Sequence, residues 1–173
     1  MNKLFTLVVV STLALSTYAL DVSQAVAVLA GFMTAIVQKD SLKEIQTCAV
    51  DGDLLVTDAE NLISDVESLS FSGFFKAIQL TGKIYGEAPY ILRECENLKD
   101  DLNTIKTQAE IFTNIGELTE RITKNYVWHY TEIMTAINTA NTDAAAGNYF
   151  GFGENIGDAV FIALQPWLRL QLS

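Results

Sequence analysis

Apolar residues recur every three or four positions along almost the whole chain, and no stretch alternates apolar and polar residues as a half-buried strand requires. Such a pattern buries its apolar surface by laying helix against helix. The expected fold class is therefore all-α, a compact bundle of four to five helices. The phase of the pattern assigns the helices. The first runs from Val22 to Lys39 with Asp21 as N-cap and Gly31 as its weak point. A second stripe runs from Leu42 through Ile45, Cys48, Leu55, Leu62 and Val66 to Leu69. It opens on Ser41-x-x-Glu44, a capping box, and keeps its phase across Asp51-Gly52-Asp53, which favours one continuous helix.

Phe71-Ser72-Gly73 then reads as a turn, with Ser70 or Ser72 capping a third helix from Phe74 to about Gly86. Proline lacks the helical NH and crowds the preceding turn, so a kink or break is expected near Glu87-Ala88-Pro89, before the pattern resumes from Ile91 to Phe112. A fourth helix spans Ile115 to Ala140. Asn141 to Asn148 is a polar connection, and a last helix starts near Gly153 or Glu154 and stops at Pro166. Residues 165–173 form a loosely attached tail to a single domain of residues 20–173.

The first nineteen residues read as an address rather than as part of this bundle. Lys3 supplies a positive start, Leu4 to Leu15 an apolar stretch, and Thr17-Tyr18-Ala19 a small-x-small cleavage site, so residues 1–19 are a signal peptide. The next apolar run, Val22 to Gln38, carries no charge. It is shorter than the roughly 20 residues a membrane span needs and contains Ser23, Gln24 and Thr34, so it reads as a buried core helix, and membrane association after cleavage is not expected. The expected location is outside the cell or in the lumen of the secretory pathway. In that compartment an even cysteine count predicts a disulfide between Cys48 and Cys95.

Charge narrows the partners. The chain carries 21 acidic against 11 basic residues, a net charge of −10 that becomes −11 once Lys3 leaves with the leader. That balance opposes nucleic acid and anionic membranes. Metal chemistry has little to use, since Cys-x-x-Cys, an EF-hand loop and paired Glu-x-x-His motifs are absent and His129 is the only histidine. Glu94, Glu96, Asp100 and Asp101 read as a solvated face. No metal, cofactor or catalytic residue is assigned, because no serine elbow, zinc-protease helix or phosphate loop occurs. Gly151-x-Gly153-x-x-x-Gly157 lacks the preceding strand of a nucleotide-binding loop. Gly153 and Gly157, like Gly82 and Gly86, instead stand four apart and let helices approach closely. The richest aromatic region is Tyr126, Trp128, His129 and Tyr130, with Tyr149, Phe150, Phe152 and Trp167 beyond it.

Five segments together resemble a family of short, secreted, two-cysteine helical proteins of protists, chiefly ciliates. They are Ile45-Gln46-Thr47-Cys48, Asp58-Ala59-Glu60-Asn61-Leu62-Ile63, the stretch from Gly73 to Ile78, Pro89-Tyr90-Ile91-Leu92-Arg93-Glu94-Cys95, and Phe152-Gly153-Glu154-Asn155-Ile156-Gly157-Asp158-Ala159. The family is largely without assigned function, so the resemblance implies a secreted helical fold and carries over no catalytic residue. Residues 165–173 depart from its usual ending.

The functional expectation is an exported, non-enzymatic protein acting by protein interaction, self-association or a structural role. The alternative is a carrier of an apolar ligand or lipid held between helices, in a pocket lined by Phe32, Met33, Phe75, Tyr130, Met134 and Phe161.

Overall fold

In a computed structural model of the chain, residues 19–37, 42–50, 52–103 and 110–165 are described. The expected leader up to Tyr18, the expected capping residue Ser41 and the expected tail from Pro166 onward lie outside the described residues. The order is α1 (Val22–Val37), α2 (Leu42–Cys48), α3 (Asp53–Glu67), α4 (Phe71–Ile91), a 3-10 turn (Glu96–Leu98), helical residues 99–103 and a second 3-10 turn (Glu110–Thr113). Then come α5 (Ile115–Trp128), α6 (Tyr130–Ala145) and α7 (Tyr149–Leu164). None of the described residues lies in a strand, so the chain is all-α, with more and shorter helices than the four to five expected.

At the centre lies α1, which is why it can do without charge. Ala25, Val26 and all residues from Val28 to Met33 are buried, as suits a helix that is apolar nearly all round. Its start is fixed by a reciprocal cap: Asp21 Oδ1 accepts from the Gln24 NH at 2.9 Å, and Gln24 Oε1 accepts from the Asp21 NH at 2.9 Å. The most extensive helix pairing joins α1 to α7, with α7 in turn lying along α6. Glycine makes the α1–α7 approach possible. A Cβ on Gly153 would sit 3.0 Å from Val28 Cα and closer still to the Val28 carbonyl oxygen, and one on Gly31 would sit 2.6 Å from the Glu154 nitrogen. Gly82 and Gly86 form no matching crossing, since Gly82 faces the Phe112 ring and Gly86 has open space.

The far end of α7 is clamped by α5. Buried Asn125 donates through Nδ2 to the Ala163 carbonyl at 3.0 Å and the Gln165 carbonyl at 2.9 Å, while Arg121 Nη1 donates to the Leu164 carbonyl at 3.3 Å. These are the terminal carbonyls that a helix cannot satisfy internally. Replacing Asn125 by alanine leaves two of them without this donor, so a loss of about 2 kcal/mol is expected in urea unfolding. Asn125→Asp is expected to lose at least as much, because it sets an acceptor against acceptors. A loss below about 0.5 kcal/mol, the scale of an ordinary surface change, would mean that water replaces the clamp.

Four sequence expectations are corrected. The stripe from Leu42 to Leu69 is not one helix: α2 stops at Cys48, and the Val50 NH leaves the helical ladder to donate to the Ile91 carbonyl at 2.9 Å. Beside that bond the Cys48–Cys95 disulfide forms, with Cα atoms 5.2 Å apart. Pro89 does not break its helix; α4 begins earlier, at Phe71, and runs through Pro89 to Ile91. The proline is exposed in the final turn, with only Tyr90 and Ile91 beyond it in the helix, and the ladder continues past it as the Leu92 NH donates to the Ala88 carbonyl at 2.9 Å. Ser70 is the N-cap, accepting from the Gly73 NH at 3.0 Å. The helix expected from Ile115 to Ala140 is split at His129, and the expected connection 141–148 shrinks to residues 146–148, because Asn148 caps α7 from Tyr149 by accepting from the Gly151 NH at 3.1 Å.

Candidate functional site

The split at His129 builds the most distinctive surface. His129 has φ −112° and ψ 26°, outside helical values. Its NH still donates to Asn125 at 2.8 Å and its carbonyl still accepts from the Ile133 NH at 2.9 Å, so one residue closes α5 and opens α6. Its Nδ1 lies 2.7 Å from Glu132 Oε2, tying the imidazole into the first turn of α6. The elbow so formed pushes Val127 and Trp128 outward, each 71% exposed, with Tyr130 half-exposed beside them.

Tyr126 is the hub beneath. Its ring meets Phe71 edge-on at 4.8 Å, Tyr130 edge-on at 5.5 Å and buried Phe74 at 5.7 Å, while Phe71 lies 6.4 Å from Phe75. Such ring pairs add stability beyond the area they bury. The Tyr126 hydroxyl donates to Met134 Sδ at 3.8 Å, and burial, then the neighbouring Tyr130, hold its pKa above the usual phenol range. Phe71 and Leu69 add exposed apolar area from the α3–α4 turn. The result is an aromatic surface with a packed base and exposed rings.

Continuing from the elbow, a shallow groove of about 390 Å³ runs between α6 and α7, lined by Thr131, Thr135 and Thr139 on one side and by Asn155, Asp158 and Phe161 on the other. Two of the threonine hydroxyls are already committed, Thr135 donating to the Thr131 carbonyl at 2.7 Å and Thr139 to the Thr135 carbonyl at 2.9 Å. They offer lone pairs rather than protons to anything outside. Burial holds the Asp158 carboxyl above its usual range.

Of the six residues expected to line a pocket, the structure brings together Phe75, Tyr130 and Met134 through their shared neighbours Phe71 and Tyr126. Phe161 borders the adjoining groove. Phe32 and Met33 stand apart, fully buried in the core, where Phe32 meets the Tyr85 ring edge-on at 6.2 Å. Among the described residues no group of three or more His, Cys, Asp or Glu side chains is arranged to hold a metal ion, and no helix is long and apolar enough to cross a membrane.

No family model, curated protein or solved structure matches this chain.

The geometry of the surface itself therefore carries the functional argument. Phe71, Val127 and the threonine-lined groove were not singled out by the sequence. The threonines did leave a signal, in their spacing of four along one helix face. Phe71 left none, because it sits in what reads as a turn.

Proposed function

We propose that this protein is exported or lumenal, is not an enzyme, and acts by binding another protein through the aromatic elbow of α5 and α6. The observation that carries this reading is the contact of exposed Phe71 and Tyr130 with Tyr126, whose ring also meets buried Phe74, beside the exposed Val127 and Trp128 of the same elbow. Exposed aromatics held on a rigid support lose little conformational freedom on contact and serve as anchors in protein interfaces. The disulfide fits export to an oxidising compartment. The carrier reading draws less support, because Phe32 and Met33 are taken up in the core rather than facing a space.

The test is sedimentation velocity and native mass spectrometry of the mature protein, alone and in the medium from which it is recovered, beside Trp128→Ser. Loss of a central tryptophan anchor is expected to weaken assembly about 30-fold, while unfolding stability changes by less than about 0.5 kcal/mol. An assembly equally strong in Trp128→Ser would move the contact elsewhere, and a strict monomer carrying an extractable apolar molecule would favour the carrier.

A further inference from the structure

Away from the elbow, α3 and α4 hold between them an ionic group that the aromatic surface does not use, with Asp58 buried, Glu87 partly buried and Lys83 exposed. Asp58 lies on the inner face of α3, only 3% exposed, between the core residues Leu55 and Leu62. Its Oδ1 accepts from Lys83 Nζ of α4 at 2.7 Å. Glu87, one turn further along α4, stands 3.7 Å from the same ammonium, so the two carboxylates share Lys83. Two buried oxygens remain, Asp58 Oδ2 and Glu87 Oε2, and neither receives a donor from the protein.

Two carboxylates side by side leave both oxygens as acceptors facing no hydrogen. Such orphaned acceptors are costly to bury, and like charges at this range repel. One proton removes both costs, since a protonated carboxyl donates to its neighbour. We infer that Asp58 and Glu87 hold a single proton between them, and that the α3–α4 contact is thereby a proton-dependent brace.

Glu87 is the carrier of that proton, because Asp58 accepts the 2.7 Å bond from Lys83 whereas Glu87 stands 3.7 Å from the same ammonium. Burial, then the charge of Asp58, hold the Glu87 carboxyl above the usual glutamate range, and Lys83 only partly offsets them. Lys83 is itself held more firmly charged, first by its hydrogen bond to Asp58. The other helices packed on α3 do not disturb the balance. The helix α1 carries no charged residue. On α6, Glu132 is engaged by His129, and Asp143 by Asn148 and Asn155.

The sign follows from linkage. A carboxyl whose folded pKa lies above its unfolded one contributes stability that is complete below the ordinary glutamate range and is lost as pH rises through the folded value. Glu87→Gln places a permanent amide donor where the proton sits. Urea unfolding of both proteins from pH 4 to pH 8 is therefore expected to give equal stabilities at the acid end. Above it, the ratio of folding constants, Glu87→Gln over the natural protein, rises by up to about tenfold per pH unit within the titration window. A ratio that stays level or falls with pH overturns the inference. Carbon-detected NMR titration of the Glu87 carboxyl in the natural protein is the second measurement: a midpoint above the ordinary glutamate range supports the shared proton, and a midpoint inside that range refutes it.

Discussion

Alanine at position 153 is expected to cost about 3 kcal/mol or more, at the upper end of what overpacking a tight contact does. The atoms that a Cβ on Gly153 would strike are the backbone of Val28, not the tip of a side chain that could swing aside. To admit one methyl group, α1 and α7 must separate along the most extensive contact in the fold. At roughly 2 to 4 °C per kcal/mol for a domain of this size, thermal unfolding is expected to fall by about 6 to 12 °C. Gly31→Ala strikes the backbone of residues 150–154 from the opposite side and is expected to act similarly. Because both substitutions pry apart one interface, their costs should not add. A drop under about 1 kcal/mol for either would show that the two helices can slide to make room.

Removing the Cys48–Cys95 bond has the other large expected effect. The link closes a loop of sequence separation 47, for which the chain-entropy model gives roughly 4 kcal/mol at 25 °C. The double variant Cys48→Ala, Cys95→Ala, compared with the oxidised protein in urea, is expected to lose about 2 to 4 kcal/mol. The native geometry around the bond limits the loss, since the Val50–Ile91 hydrogen bond joins the same two segments and should survive reduction. Elbow-dependent assembly should be unaffected, because the disulfide ties the end of α2 to the turn after α4 and not to α5 or α6. An unchanged urea midpoint would mean that the unfolded chain is already held compact in this region.

The helical period revealed the fold class because it reports which residues face inward. It does not report where a helix axis changes direction. Between α2 and α3 and at His129 the helix is interrupted while the same face stays toward the core, so the apolar stripe runs across both breaks without a fault. Pro89 misled in the opposite sense, since its effect depends on how much helix remains beyond it. Caps that use neighbouring side chains were legible, as Asp21 shows. Asn148 lay within what read as a long polar connection, and only the packing of Phe152 against the core reveals that a helix starts before it. Asp58 left a readable sign, an acidic residue at a stripe position between Leu55 and Leu62, where a solvent-facing charge is not expected. Its partner Glu87 could not be read, because the pairing joins two helices and no local spacing encodes it.

The union of α1 with α7 also governs the order in which the chain can become a protein. During synthesis α1 emerges before every other described helix, yet the groove that receives it is completed by the last of them. Until Tyr149–Leu164 has been made, the face of α1 that this helix covers lacks its partner, and contacts between segments so distant in sequence form slowly. Nascent chains are thus most exposed to aggregation just before the final helix arrives, and a truncation that removes α7 leaves α1 in that state for good.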